Sequence, residues 1–510
     1  MASFGRGGGR GGGGGRHHHS STRFNNNNSS SNPSSSSSSS SSQQPKLQVC
    51  RNYIATGSCP HGPRCNFSHV VRHYATIDVS DKLPPDARQS SGGGGYHHHN
   101  RNSGKIKDRY KATSVAIWET ANQIKLFVSS HDGKWRLYNT SPTTSTTTTN
   151  TTTSHHNHNN PQLETNNNNA PIITGVTLNQ EFEHYVGGPI DTLHLLSNHY
   201  LFVGFENSAP IEAPLESNKA GMVHIWNLTS PGDAPMELQM HGNFAKYAHS
   251  GKIRCLCTGG GEGRVWTGGN DGVIREWRAN SPTPATTTTP GNAGGGFILV
   301  RTISGHLGAV TKLTLSNHGS VILWSGGVDG TIRLWNVESG EMAHLIPAVK
   351  KETGGADTAG AMMLGHSAAI TGLLPFDVPS SDPSAGGGSA SSFVFTSSLD
   401  ETVKVWNAAN GSCVASEKHG QGVTSIAFTT DASGTHPLLI CGLYYGDIMI
   451  RGTVSNPPLC LLLKISHNFV GVGHELGPVH DVQAGPGCTF YAVGEDGKLT
   501  VWQIVGDFGL

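Results

Sequence analysis

The chain has 510 residues, 35% of them hydrophobic, and its 35 basic residues balance its 35 acidic ones. Balanced charge excludes a global positive field as the route to nucleic acid, so any such binding has to be local. Apolar stretches are short and interrupted, which argues against a membrane-spanning segment. The first residues lack the apolar core of a signal sequence, and the nine cysteines do not form a disulfide framework. We therefore expect a protein that is not secreted and lies in the nucleus, the cytoplasm or both.

Low-complexity sequence opens the chain and interrupts it later. Residues 1–45 consist of Gly/Arg, His, Asn and Ser runs, which predict a disordered tail. Its arginines Arg6, Arg10 and Arg16 are spaced by glycine and resemble an RNA-contacting segment, while a plain solvated tail remains the alternative. Residues 73–104 predict a flexible linker. Disordered inserts are also expected at 141–169, 280–296 and 379–392.

Residues 46–72 contain a compact set of metal-ligand side chains. Cys50, Cys59, Cys65 and His69 have the spacing C-x8-C-x5-C-x3-H. Zinc is held tetrahedrally by four thiolate or imidazole ligands of this kind. The stretch has few large apolar residues, so we expect one structural zinc ion to drive its folding.

The residues between the ligands, RNYIATGSCPHGPRCNFSH, resemble the RNA-binding CCCH zinc fingers. That family has aromatic residues where Tyr53 and Phe67 stand here, and the resemblance implies that they stack on unpaired bases. Arg51 and Arg64 flank the ligands and complete the candidate RNA contacts. The alternative is that Tyr53 and Phe67 only cover the zinc. One departure is His61, where many members of the family have tyrosine.

From about residue 112 onward the sequence repeats a strand pattern, in which alternating β-formers follow a Gly/Asp turn and mostly end in an aromatic residue. The closing segments are KWRLYN (134–139), VHIWNL (223–228), VIREWR (273–278), TIRLWN (331–336), TVKVWN (402–407), DIMIRG (447–452) and LTVWQI (499–504). Similar four-strand units close into a ring because radial packing protects the strand edges. We predict an all-β fold, a seven-bladed β-propeller over 105–510.

Three units carry His, Ser/Thr, Asp and Trp with identical spacing from the hydroxyl onward, and here the chain resembles WD-repeat proteins. The sets are His249, Thr267, Asp271 and Trp277; then His306, Ser325, Asp329 and Trp335; then His366, Thr396, Asp400 and Trp406. A buried Asp needs hydrogen-bond partners, and the His ring links it to the Ser/Thr hydroxyl. The Trp indole N–H donates to the same hydroxyl, so the four side chains tie the strands of one blade together. The sets look like catalytic triads, but an active site occurs once, whereas a packing device recurs. We expect structural networks, no catalytic residue and no enzyme.

The other units depart from this pattern. Val128 in the first and Ala492 in the last stand where the hydroxyl belongs, and the sixth keeps only His419. We expect those blades to be held by apolar packing alone. The last unit also lacks an outer strand after LTVWQIV, so we expect residues 105–113 to pair with 499–505 and close the ring.

A finger followed by such a ring resembles a plant family of zinc-finger/WD-repeat proteins, over residues 50–69 and about 105–510. Our first hypothesis is an adaptor whose finger contacts single-stranded RNA and whose propeller recruits a protein, without a membrane or a small-molecule substrate. One alternative is a protein scaffold such as a ubiquitin-ligase substrate receptor, although no Trp here is followed by Asp. Another is a DNA-binding regulator, for which we find no major-groove helix. Finger and propeller are expected to melt independently.

Overall fold

The structure is a computed structural model that describes a large part of the chain. The described residues are 46–82, 110–121, 123–145, 172–207, 220–230, 232–238, 247–259, 263–279, 296–318, 320–349, 365–378, 391–453, 458–469, 473–474 and 477–508. The predicted tail 1–45, the predicted linker from residue 83 onward and the middle of each predicted insert lie outside them. Among the described residues, no helix has the length and hydropathy needed to span a membrane.

The first described segment forms a small module with one short helix. Helix α1 spans Arg51–Thr56, and a 3-10 turn follows at Gly62–Arg64. Gly57 ends the helix with a φ of 72°, and its N–H donates to the carbonyl of Tyr53. Glycine suits this left-handed position because it has no Cβ to clash with the backbone.

The rest of the described chain forms seven sheets of antiparallel strands, the blades of a β-propeller. Strand β1 is Val71–Asp78. Blade one contains β2 (Ala112–Glu119), β3 (Ile124–Ser130), β4 (Lys134–Ser145) and β5 (Ile172–Tyr185). Blade two contains β6 (Ile190–Leu196), β7 (Tyr200–Asn207), β8 (Ala220–Asn227), β9 (Met236–Glu237) and β10 (His249–Ser250). Blade three contains β11 (Ile253–Thr258), β12 (Arg264–Gly269), β13 (Val273–Ala279) and β14 (Phe297–Ser304).

The remaining four blades follow the same order along the chain. Blade four contains β15 (Val310–His318), β16 (Ser320–Gly327), β17 (Ile332–Asn336) and β18 (Met342–Ile346). Blade five contains β19 (Ile370–Val378), β20 (Ser391–Ser398), β21 (Thr402–Asn407) and β22 (Cys413–Lys418). Blade six contains β23 (Val423–Thr430), β24 (Pro437–Leu443), β25 (Ile448–Gly452) and β26 (Leu461–Ile465). Blade seven contains β27 (Val479–Gly485), β28 (Thr489–Gly494), β29 (Lys498–Ile504) and β1. The predicted all-β, seven-bladed propeller is confirmed.

The position of a strand within its blade decides its hydrophobic pattern. Second strands such as β7 are buried on both faces between neighbouring blades, and Leu201, Phe202 and Val203 are completely buried. The outermost strand of blade three, β14, instead alternates half-buried and exposed residues because one of its faces meets solvent. The core is therefore a ring of clusters between adjacent blades.

The ring is closed by β1, which pairs antiparallel with β29 from Val71↔Ile504 to Asp78↔Lys498. The expectation that residues 105–113 would close the ring is therefore wrong, and so is the assignment of residues 73–78 to a flexible linker. Of the expected segment, Ala112 and Thr113 instead begin β2, the first strand of blade one. The stretch VRHYATID supplies the β-formers that an outer strand needs, directly after the last metal ligand.

The finger is docked on blades six and seven. The N–H of Lys464 in β26 donates to the carbonyl of Leu47 at 2.8 Å, so the start of the finger extends that sheet. Val49 and Ile54 belong to the same buried cluster as Leu463 and Trp502. Residues 45–510 form one compact unit, so the finger and the propeller are not separate bodies, whereas their independent melting stays a prediction.

Two predicted insert boundaries also shift. β4 and β5 pair as far as Ser145↔Ile172, so residues 141–145 belong to a long hairpin of blade one. Likewise, residues 391 and 392 already lie in β20. Backbone pairing tolerates Thr and Ser well, which is why strands run further into polar sequence than composition suggests.

Candidate metal centre and nucleic-acid interface

The four predicted zinc ligands converge. The ligand atoms of Cys50, Cys59, Cys65 and His69 all lie within 4.8 Å of one another. The sulfur atoms of Cys50 and Cys59 are 3.7 Å apart. Tetrahedral zinc with Zn–S bonds of about 2.3 Å separates two sulfur atoms by about 3.8 Å, so the spacing fits one zinc ion. Bound zinc supplies a structural cross-link here.

The surroundings of the ligands suit metal binding. Nε2 of His69 is buried and lacks a hydrogen-bond partner, which leaves it available as a ligand. Burial lowers the pKa of His69, which favours the neutral imidazole that a metal requires. Burial also raises the pKa of the Cys50 thiol, so zinc has to displace its proton.

The two predicted RNA-contacting aromatics occupy different surroundings. The Tyr53 ring stacks on the His69 ring, with centroids 4.6 Å apart and an interplanar angle of 14°. Tyr53 therefore braces a metal ligand, as the covering alternative expects. Phe67 is 46% exposed although it lies between two ligands in sequence. Of the two aromatic residues, Phe67 is therefore the more exposed to solvent.

A cleft of about 530 Å³ separates the finger from blade six. Phe67 and Arg51 line it from the finger side, together with His61. Arg64 is exposed but does not line the cleft. Phe469 lies on the opposite side, with its ring centroid 5.1 Å from the Arg51 guanidinium carbon.

Residues of blade six were missed as members of this site. Lys464, Asn468 and Phe469 line the cleft, yet they belong to an outer strand and the turn after it. No spacing in the sequence connects them with the finger, because the docking of two distant segments creates the cleft.

The predicted hydrogen bonds of the three blade networks are all present, and blade three shows their geometry. His249 Nδ1 lies 2.9 Å from Asp271 Oδ1, and His249 Nε2 lies 2.7 Å from Thr267 Oγ1. Trp277 Nε1 donates to Thr267 Oγ1 at 2.9 Å. The network ties together the strands of this blade.

Blades four and five repeat the contacts of blade three. His306 lies 3.2 Å from Asp329 and 2.8 Å from Ser325. His366 lies 2.9 Å from Asp400 and 2.7 Å from Thr396. Trp335 Nε1 donates to Ser325 Oγ, and Trp406 Nε1 donates to Thr396 Oγ1, both at 2.8 Å.

The tryptophans of the networks also belong to the apolar core, which goes beyond the expectation that they act within their own blades. Trp335 is 4% exposed and packs in the cluster between blades three and four, with Ile303 and Val310. Trp406 is completely buried in the cluster between blades four and five, with Trp324. Only the indole N–H of each ring serves the network, since the rest of the ring packs against the preceding blade. Trp335 and Trp406 therefore hold neighbouring blades together and are not accessible to a ligand.

Electrostatics in the networks favour a neutral histidine beside an ionised aspartate. Burial lowers the pKa of His249. Burial opposes the charged form of Asp271, but hydrogen bonds from His249 and Arg275 outweigh it and lower the pKa of this carboxyl to about 2. The hydroxyl of Thr267 belongs to a completely buried side chain, as a packing device requires.

Three of the departing blades contain polar networks, so the expectation of apolar packing alone is wrong for them. In blade six, buried Asp447 accepts from Gln421 Nε2 at 2.6 Å and pairs with Lys464 at 2.7 Å. In blade seven, Ala492 pairs across the sheet with Thr500, whose hydroxyl accepts from Trp502 Nε1 at 3.0 Å. His474 Nδ1 lies 2.9 Å from Asp496 Oδ1. The missing hydroxyl is therefore replaced from the neighbouring strand.

Blade one uses the same position differently. Val128 pairs with Arg136, whose guanidinium donates to Asp132 Oδ2 and to Ser130 Oγ, both at 2.8 Å. A buried aspartate in the turn thus has a cationic partner in place of histidine. In both blades, the residue opposite the missing hydroxyl carries the replacement.

Fold and site together define a seven-bladed β-propeller protein with a docked CCCH zinc finger. The family model for zinc fingers of the C-x8-C-x5-C-x3-H type (and similar) matches residues 45–71. The model for the WD domain, G-beta repeat, matches residues 297–336, which contain the last strand of blade three and three strands of blade four. The chain therefore combines a CCCH zinc finger with WD repeats. This combination supports a nucleic-acid-binding or protein-interaction adaptor.

Similar curated proteins match the chain only in part. Mouse striatin is 30% identical over 130 residues, which cover 25% of this chain and 16% of striatin. Human striatin-3 is 29% identical over 152 residues, covering 27% of this chain and 18% of that protein. Type II inositol polyphosphate 5-phosphatase 14 of Arabidopsis thaliana is 26% identical over 153 residues, covering 28% and 13%. The chain thus spans under a fifth of the length of each.

Proposed function

We propose that the protein is a zinc-dependent RNA-binding adaptor, in which the finger contacts single-stranded RNA and the propeller recruits a protein partner. Phe67 carries the RNA part of the proposal. It is a half-exposed aromatic ring on a frame that zinc fixes, and it faces a cleft that also contains Arg51. Stacking on an aromatic ring suits any unpaired base, and a nearby guanidinium suits the phosphate backbone.

Tyr53 has a different role in this proposal. Because its ring stacks on His69, it orients the ligand and contributes to RNA binding only through the geometry of the finger. Arg51 and Phe67 are then the principal RNA contacts, and Arg64 adds charge at the rim. One finger contacts few nucleotides, so we expect modest affinity with a shallow dependence on salt.

The propeller offers a surface for protein on one face. In six blades, the residue at the turn between the second and third strands donates its N–H to the carbonyl just before the first strand, and in blade two Glu206, near the end of the second strand, makes the equivalent bond. This residue is apolar or aromatic in three consecutive blades, as Val328, Leu399 and Tyr444. In the other four blades the equivalent residue is polar: His131, Glu206, Asn270 and Glu495.

Further exposed apolar side chains extend this surface. Leu307 is 91% exposed in blade four, and Tyr445 is exposed beside Tyr444 in blade six. Blades four to six thus share an arc of large apolar residues in solvent, which is typical of protein contact surfaces. The arc supports recruitment of a protein partner.

We also propose that the protein is not an enzyme and that it acts in the nucleus, the cytoplasm or both. The hydroxyl-bearing residues Thr267, Ser325 and Thr396 are completely buried in their networks, which supports a structural role. None of the nine cysteines, all of which lie in described residues, forms a disulfide, which supports a reducing compartment.

The RNA proposal is tested with Phe67→Ala in the full chain. Loss of one stacked base should weaken binding of fluorescein-labelled single-stranded RNA by about 1–3 kcal/mol at fixed salt. Fluorescence anisotropy measures the dissociation constant, and metal analysis verifies that zinc remains bound. Phe182→Ala is the matched control, since Phe182 is also 46% exposed but lies in blade one. Equal binding by wild type and Phe67→Ala would assign Phe67 to covering and favour the protein scaffold.

A further inference from the structure

The cleft between the finger and blade six has two walls from distant parts of the sequence. The finger wall is fixed by zinc, and the blade wall follows β26, which is held to the finger by the Lys464 N–H bond to the Leu47 carbonyl. Val49 and Ile54 anchor the finger in the core beneath the cleft. Both walls therefore keep a fixed relation to each other, which a binding site requires.

Aromatic rings line both walls. Phe67 is exposed on the finger side, and Phe469 lies on the blade side, partly packed against the buried cluster. The Arg51 guanidinium lies 5.1 Å from the centre of the Phe469 ring. Flat aromatic and guanidinium groups are the surfaces on which proteins stack unpaired bases.

The polar groups of the cleft are suited to base edges. Three side-chain amides line it: Gln48 and Asn52 from the finger, and Asn468 from blade six. An amide offers a donor and an acceptor side by side, as the Watson–Crick edge of a base does. Among the described residues that line the cleft, none is acidic.

The cationic charge of the cleft comes mainly from Arg51. The Lys464 ammonium is engaged by Asp447 Oδ2 at 2.7 Å, so it is largely neutralised. Arg51 is exposed and has no acidic neighbour along the cleft, which leaves its charge for a phosphate.

We propose that this cleft binds one unpaired nucleotide of the RNA, so that blade six supplies half of a composite RNA site. The base lies among Phe67, Phe469 and the three amides, and its phosphate is close to Arg51. The inference rests on the proposed RNA-binding function and adds the propeller to it. It predicts that Asn468 and Phe469, which lie about four hundred residues from the finger in sequence, affect RNA affinity directly.

The principal test is Asn468→Asp, which puts a carboxylate into the cleft at an exposed position. We expect at least fivefold weaker binding of a fluorescein-labelled, random-sequence 20-nucleotide single-stranded RNA at low salt, because the carboxylate repels phosphate and loses an amide donor. Phe469→Ala should weaken binding by about 5- to 150-fold, the range that one stacked base is worth. Since Phe469 also packs on the core, the melting temperature of this variant is measured in parallel.

The matched control for charge is Asn410→Asp, an exposed turn residue of blade five whose Oδ1 accepts from the Ser412 N–H at 2.9 Å. A carboxylate accepts the same bond, so this variant should fold and bind RNA like wild type. A second readout uses RNA with 4-thiouridine, in which ultraviolet crosslinks should map both to the finger and to the peptide that contains Phe469.

The outcomes separate this inference from the proposed function. If Phe67→Ala weakens binding while Asn468→Asp and Phe469→Ala bind like wild type, the finger binds RNA alone and the composite site is wrong. The composite site is equally wrong if crosslinks map only to the finger. If the wild-type chain does not bind RNA at low salt with zinc present, both ideas are wrong. Weakened binding in all three cleft variants, with Asn410→Asp unchanged, supports the composite site.

Discussion

Removal of zinc is expected to weaken the propeller as well as the finger. His69, the last ligand, is two residues before Val71, the first residue of the strand that closes the ring. Val49 and Ile54 of the finger are each 2% exposed because they pack into the cluster between blades six and seven. A finger of this size loses its structure without metal, so these contacts are lost together with the ion.

The size of the effect follows from the buried side chains. Full burial of Val49 or Ile54 is worth about 1.5–3 kcal/mol each, so the propeller loses about 3–6 kcal/mol. At roughly 2 °C per kcal/mol for a large domain, its melting temperature should fall by about 6–12 °C. Fraying at Val71 would add to this loss.

Differential scanning calorimetry of the full chain, with zinc and with a chelator, measures the shift. Cys59→Ser should reproduce the chelated state, whereas Cys413→Ser, which removes a half-buried thiol of blade five, should leave the zinc dependence intact. A propeller transition at the same temperature with and without zinc would refute the coupling, and the finger would then be an independent module.

Two further predictions concern the ring and its pH dependence. Val71→Asp buries a charge in the closing strand, so it should lower the free energy of unfolding, measured in urea, by about 4 kcal/mol. Val414→Asp, at a 54% exposed position of an outer strand, should lower it little. Equal effects of the two substitutions would contradict closure of the ring by β1. Burial lowers the pKa of His419 to about 3 in the folded chain, below its value near 6.5 in the unfolded chain. Between these two pH values the unfolded chain binds more protons than the folded chain, so the free energy of unfolding falls as the pH drops below about 6.5. At pH 5 the loss from His419 should be about 2 kcal/mol, and His419→Gln should flatten the decline in unfolding free energy between pH 7 and 5; an unchanged pH profile would show that His419 does not contribute.

The sequence by itself determined the features that depend on local spacing. Zinc coordination needs four ligands within one short segment, so Cys50, Cys59, Cys65 and His69 could be predicted from their separations alone. The blade networks could also be predicted, because one hairpin contains Thr267, Asp271 and Trp277, and their offsets fix the contacts. Seven repeats of the strand pattern, three of them with this network, predicted a propeller.

Only the tertiary structure decided what depends on pairing between distant segments. Residues 73–78 look like the start of a linker, and the role of 71–78 as closing strand depends on its register with 498–504. The replacement of the hydroxyl missing at Ala492 depends on which residue stands opposite, namely Thr500. The cleft at Phe67 exists because the finger docks on blade six. In each case the decisive contact lies outside the reach of local composition and periodicity, because it joins segments that only the folded chain brings together.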